Sequence, residues 1–314
     1  MAVVASPGSA LRTPGRVTVP GCACTAAAAL LAGPPRSGRV VACGRYAAYL
    51  SLSGRADVAL AVCTSDAVRV PFGIRLGAPA ASSPLAGLHA GDPVTVGDGA
   101  VSAGTLRVTV ARWWAARSAG GRVTDSDLAS WAAALQWARE EHGQAPGLGD
   151  QDTEVLRFAG ALASRDAPQA LAATRRLIGR GPGSTPSGDD LVGSALAAMH
   201  VLAPSHPAAA ALWAACGKPL AAAVTARPET STTAVSAALL RYAARGEPIG
   251  EVADLLRCAA GAHGGQDAAR AAALRLLGIG HSSGADCLQG LAAVAAALRA
   301  AAGKVQTSSG GALR

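Results

Sequence analysis

The chain has 314 residues, half of them apolar and only 3% aromatic, with a formal net charge of +8. That length suffices for one large domain or two ordinary ones, and a core made of Ala, Leu and Val favours close helix packing. The charge is carried by arginines spread singly, with Arg175-Arg176 the longest run and no interleaved aromatics, which argues against nucleic acid as a partner.

Pro7, Arg12, Pro14 and Arg16 interrupt the N-terminus, so no secretory signal is expected there and residues 1–15 read as disordered. The seven cysteines form an odd set without a C-x-x-C pair, as expected of free thiols in a reducing cytoplasm. No charge occurs between Asp190 and Lys218, but Pro204 and Pro207 are expected to split that stretch into pieces too short for a membrane span. A soluble, cytoplasmic protein without a membrane partner is the expectation.

Residues 16–118 read as a β-rich domain. Short runs at 39–44, 46–52, 58–63, 67–76, 93–99 and 105–114 are separated by turn residues, predicting several antiparallel strands. Gly97-Asp98-Gly99 and Ala103-Gly104 supply the turns of a hairpin. A linker near 115–124 follows. From Thr124 the period becomes helical, with Leu128, Trp131, Leu135 and Ala138 on one face behind a Thr124-x-x-Asp127 cap. Further helices are predicted at 152–164, 168–178, 189–203, 208–216, 231–245, 248–260, 266–277 and 285–301, with Gly179, Gly246 and Gly278 as stops. The predicted class is α+β: an N-terminal antiparallel β-rich domain, as a small sheet or partly closed barrel, then a larger α-helical domain over 124–302 and a flexible tail over 303–314.

Two glycine-rich loops interrupt the helical part. The first, 177-LIGRGPGSTPSGDD-190, has the glycine spacing of a phosphate loop at Gly183 and Gly188, but Asp189 and Asp190 occupy the positions of its Lys and Ser/Thr. Backbone N–H groups around Gly181, Gly183 and Gly188, the hydroxyls of Ser184, Thr185 and Ser187, and the side chain of Arg180 suit a small anion. Asp189 and Asp190 then either flank it through an intervening Mg²⁺, the one cofactor these residues suggest, or accept hydrogen bonds from an amide or amino group. A purely structural role is the alternative: Ser187 caps the helix and Asp190 completes a short-armed capping box.

The second loop, 276-LLGIGHSSGAD-286, repeats the pattern: two apolar residues, Gly-x-Gly, a hydroxyl-rich turn, then Ser-Gly-x-Asp opening a helix. Ser282, Ser283, Gly284 and Asp286 join the candidate site, and both helix N-termini are expected to converge on one ligand, with Ser187 and Ser283 close together. His281 is the candidate for proton transfer, against a plain hydrogen bond to loop backbone. Thr232, Thr233 and Ser236 open a further helix; capping explains one or two of them, Thr232 and Thr233 join the substrate-binding candidates, and Ser236 is expected to serve packing. His89, His142, His200, His206 and His263 lack partners at metal-ligand spacing, arguing against zinc. No G-x-S-x-G elbow or activated cysteine supports hydrolase chemistry.

Together and in order, Gly179–Asp190, Thr232–Gly246 and Gly280–Gly290 resemble the DUF2877 family, and the strand-rich part with its Trp113-Trp114 ending fits too. Ser184 departs from the family's usual apolar residue. The resemblance implies a subunit of an oxamate carbamoyltransferase complex, associated with other subunits and acting in purine and allantoin catabolism on small anionic, amide-bearing molecules such as oxamate or carbamoyl phosphate. In that reading the chain leans towards a transferase component, with Asp189, Asp190, His281 and Asp286 catalytic. The alternative is a non-catalytic accessory or regulatory subunit that binds a small anion.

Overall fold

A computed structural model describes residues 17–53, 57–116, 121–141, 147–226, 231–260 and 265–309, with side chains to Ala301. The segment 1–15 lies outside the described residues, as do 117–120 of the expected linker and 310–314 of the tail.

Eight strands close into a barrel: β1 Val17–Cys24, β2 Arg36–Cys43, β3 Ala47–Leu52, β4 Leu60–Cys63, β5 Gly73–Leu76, β6 Pro93–Gly97, β7 Ala100–Ala103 and β8 Leu106–Trp114, in the order β1-β5-β4-β3-β2-β6-β7-β8. A barrel leaves no free sheet edge and fills its interior with alternate side chains; here Val40, Leu50, Leu60, Val62, Ile74, Val96 and Val108 do so. Asp98 and Gly99 both take positive φ, 49° and 71°, the pairing a tight two-residue hairpin turn requires.

Three expectations need correction. β1 was not predicted, because Pro20 and Gly21 interrupt its alternation; yet it closes the barrel, pairing in parallel with β8 from Val17↔Leu106 to Cys24↔Trp114. A Cβ at Gly21 would lie 2.7 Å from Ile74 and 2.8 Å from Val108, so the glycine that weakens the pattern is what lets the strand sit over the core. The sheet is not wholly antiparallel either, since β4 and β5 also pair in parallel. The predicted strand over 67–76 shrinks to Gly73–Leu76 behind Pro71, which cannot donate to a ladder.

The rest is helical: α1 Ala28–Leu31 inside the barrel region, then α2 Asp125–Glu141, α3 Thr153–Ser164, α4 Ala167–Leu177, α5 Ser187–Leu202, α6 Pro207–Leu212, a π turn Trp213–Gly217, α7 Lys218–Thr225, α8 Ala234–Ala243, α9 Gly250–Ala259, α10 Gly265–Leu277 and α11 Ser283–Ser309. The capping box opening α2 is formed, with the Asp127 N–H bonded to Thr124 Oγ1 at 3.1 Å and the Thr124 N–H to Asp127 Oδ2 at 2.9 Å. Asp152 and Asp166 cap α3 and α4. Helix α11 runs to Ser309, into the segment read as a tail, because no helix breaker follows Gly303 before Gly310.

The helix expected to stop at 216 continues instead. Its π turn lets the Lys218 N–H reach the Trp213 carbonyl, and Pro219, at the second position of α7, falls where a helix tolerates a missing donor. Pro207 opens this run rather than splitting it. Pro207–Thr225 is 19 residues with mean hydropathy 1.3, long and apolar enough to cross a membrane by length and composition. In the fold, Leu212, Cys216 and Leu220 of this run are buried within the helical core.

Barrel and helices share a third core. Ala47, Val58, Ala61 and Phe72 pack on Val235 and Ala238 of α8, and Arg69 binds Glu251 and Asp254 of α9 while its carbonyl accepts from the Gly250 N–H at 2.8 Å. This junction backs α8 and α9, the helices flanking the two glycine loops' target.

Candidate active site

Helices α5 and α11 open next to each other. Thr185 Oγ1 lies 3.0 Å from Ser283 Oγ, and Ser187 Oγ lies 3.4 Å from Ser282 Oγ, so the two loops meet as their shared pattern predicts. Glycine makes each loop possible. Gly188 and Gly284, each the second residue of its helix, press on the carbonyls of Leu177 and Leu276, the corresponding last-turn residues of α4 and α10, where a Cβ would have no room. Gly181 has φ +114°, and a Cβ there would lie 2.8 Å from the Ser187 nitrogen. Further along, Gly290 of α11 lies against the Leu191 carbonyl and Ser194 of α5, which brings the two helices into close contact.

The crossing is reciprocal. The hydroxyl of Ser283 from the second loop favours the charged form of Asp190 on α5, and that of Ser187 from the first favours the charged form of Asp286 on α11. In the aligned loop patterns Ser187 matches Ser283 and Asp190 matches Asp286, so the serine acting on each aspartate comes from the other copy. Thr185 and Ser282 add second hydroxyls to Asp190 and Asp286 respectively. Yet Asp190 Oδ2 and Asp286 Oδ2 are buried without a hydrogen-bond partner, which is costly for a carboxyl oxygen. Burial pushes the Asp190 carboxyl up to about 8, against the Ser283 hydrogen bond and with help from the charges of Asp286 and Asp189. Burial also raises Asp286, against hydrogen bonds from Ser187, the Leu148 N–H and Ser282.

Asp189 does different work. Its Oδ1 accepts from the Gly179 N–H at 2.8 Å, and its Oδ2 accepts from Thr232 and, at 2.7 Å, from Ser236. Asp189 therefore ties the first loop to the start of α8, and Ser236, expected to serve packing, is a hydrogen-bond donor to it. Thr233 caps α8 through the Ser236 N–H and donates to the Ser184 carbonyl. The capping role expected of Ser187 is not found; Pro186 occupies the N-cap of α5 and no side chain caps it. Arg180 turns outward to Asp152, at 2.6 Å, and His281 is exposed in the turn before α11.

The expected Mg²⁺ required Asp189 and Asp190 to face one ion. Asp189 instead gives both oxygens to three donors of its own loop and α8, and among the described residues no three His, Cys, Asp or Glu side chains are grouped to hold a metal. The Asp189 oxygens are thus engaged by backbone and hydroxyl donors rather than turned with Asp190 towards a common ion.

Two features escaped sequence reasoning. The Leu148 N–H donates to Asp286 Oδ1 at 3.2 Å, and a Cβ on Gly147 would lie 2.5 Å from that oxygen; Gly147 and Gly149 lie in a glycine-rich stretch whose only legible meaning was a connection. Beside Asp190 lies a cavity of about 40 Å³, walled by Ser194, Ser236, Leu240, Ile249, Val252 and Cys287, with room for water. Burial and the charges of Asp190 and Asp286 hold the Cys287 thiol protonated.

No curated protein and no solved structure matches the chain. Residues 177–295, which hold both loops and the helices they open, match the family model described as oxamate carbamoyltransferase subunit AllH. Over that stretch, which is less than half of the chain, the protein is similar to the oxamate carbamoyltransferase subunit AllH family.

Proposed function

We propose that the chain is a component of a carbamoyltransferase complex and that its two loops hold a small anionic, amide-bearing substrate such as oxamate or carbamoyl phosphate. The observation that carries this reading is the reciprocal crossing of the loops, which leaves two carboxyl oxygens buried and unpartnered beside paired helix N-termini. Helix N-termini favour an anionic group. A carboxyl group can donate to an anionic oxygen when protonated and accept from an amide N–H when ionised. Hydroxyls of Thr185, Ser187, Ser282 and Ser283 can serve either end. His281, exposed at the rim, supplies a proton donor or acceptor once a substrate is seated. The other subunits implied by the family description provide the remainder of the transfer site.

An accessory role in anion binding is the second reading, and one observation favours it: the loop's own arginine is committed to Asp152 rather than to the site. Turnover of oxamate and carbamoyl phosphate by the assembled complex separates the two. With Asp190→Ala, the catalytic reading expects turnover to fall by about 100-fold or more with assembly intact, as for loss of a group acting in the transition state. Turnover unchanged by this variant would leave the accessory role.

A further inference from the structure

We infer that a second ligand site lies between α2 and α11, and that it takes an organic anion with a flat apolar body. No residue of either glycine loop lines it, and the inference goes beyond the reading above without depending on it. Two helix faces of one spacing build the site. On α2 the face runs from Ala132 through Leu135 and Gln136 to Arg139; on α11 it runs from Ala292 to Arg299 at the same i, i+3, i+4, i+7 steps. Such steps put four side chains on one side of a helix, where large apolar groups usually fill the space to a neighbour. Here four of the five apolar lining residues are alanines, while Leu128 and Trp131 anchor α2 in the core elsewhere. The space left between the helices is a cavity of about 400 Å³, tenfold the one beside Asp190. Sites for small molecules run from about 300 to 1,000 Å³.

The chemistry of the walls selects the ligand. Alanine side chains end at Cβ, so the floor is smooth and apolar and matches a planar ring better than a branched chain. The polar groups stand at the ends of the two faces, and most are already committed. Arg139 pairs with Asp150 at 2.5 Å, and Asp150 is fixed from α11 as well, accepting from Gln289 Nε2 at 3.0 Å. Glu140 accepts from Gln136 at 2.8 Å. Arg299 lines the same cavity with no carboxylate partner among the described residues. One uncommitted guanidinium calls for one anionic headgroup, which it binds through two parallel N–H donors. Oxamate has no apolar body to cover the floor, so this cavity and the glycine loops select different molecules.

Naphthoate is the probe, a planar ring system carrying one carboxylate. Calorimetric titration of the full-length protein should show one naphthoate per chain with a Kd below about 1 mM. Ala296 and Arg299 both line the cavity and are exposed, so substitution there leaves the core intact. Ala296→Phe, which fills the space, and Arg299→Gln, which removes the charge, should each weaken binding by about tenfold or more. Arg299→Lys, which keeps the charge, should retain most of the affinity and so separates loss of the cation from any folding defect. Naphthamide, the same ring without charge, should bind the wild type more weakly and be indifferent to Arg299→Gln. Excess oxamate should leave naphthoate affinity unchanged. A wild type that does not bind naphthoate, wild-type affinity in Ala296→Phe or Arg299→Gln, or displacement of naphthoate by oxamate would overturn the site.

Discussion

Asp190 has a stability consequence separable from any ligand. Burial raises its carboxyl to about 8 in the folded protein, whereas in the unfolded chain it titrates near the ordinary carboxylate value of about 3.9. The folded state therefore binds one more proton between those values. This stabilising contribution is fully present below about pH 4, declines as pH rises, and is gone once pH passes about 8. Asp286, also raised, contributes with the same sign. Asp190→Asn should accordingly stabilise the ligand-free protein, and by more at pH 8 than at pH 5. Denaturant unfolding of both proteins at the two pH values checks it; a difference that does not grow with pH would show that Asp190 is ionised in the fold.

At the scale of elements, the helix–loop–helix units α4–α5 and α10–α11 are built alike, and their glycines carry the likeness. Gly188 and Gly284 each face a backbone carbonyl that cannot swing away. Alanine at either should cost about 1–3 kcal/mol, the usual penalty for overpacking. Gly44 has open space where a Cβ would sit and alanine there should cost far less. Thermal unfolding of the three variants tests this, and equal losses would dissolve the comparison. Much of this level was legible. The Thr124-x-x-Asp127 cap announces the start of α2, and the recurrence of Ser-Gly-x-Asp marks both loops before any contact is known. What was not legible depends on partners distant in sequence. Ser236 reads as a small residue in an alanine-rich helix until Asp189 stands beside it, and β1 reads as a broken run until β8 lies alongside. The predicted helix end at 216 misses the continuation because the π turn that carries the helix on past Pro219 leaves no mark in the local pattern.

In the molecule as a whole, barrel and helices meet behind the site rather than at it. The shared core on α8 and the Arg69 contacts with α9 fix the wall opposite the loops, while α5 and α11 present Asp190 and Asp286. The fold class followed from composition and period alone, but closure of the barrel and the outward turn of Arg180 needed coordinates. The functional account depends on the two loops acting as one site, a property neither loop has alone. Calorimetry with oxamate at pH 7 on the wild type, Asp190→Ala and Asp286→Ala addresses that dependence. One ligand per chain is predicted, with affinity reduced by about tenfold or more, or 1.4 kcal/mol, when either loop's aspartate is removed. Two ligands per chain, or wild-type affinity in Asp286→Ala, would contradict it.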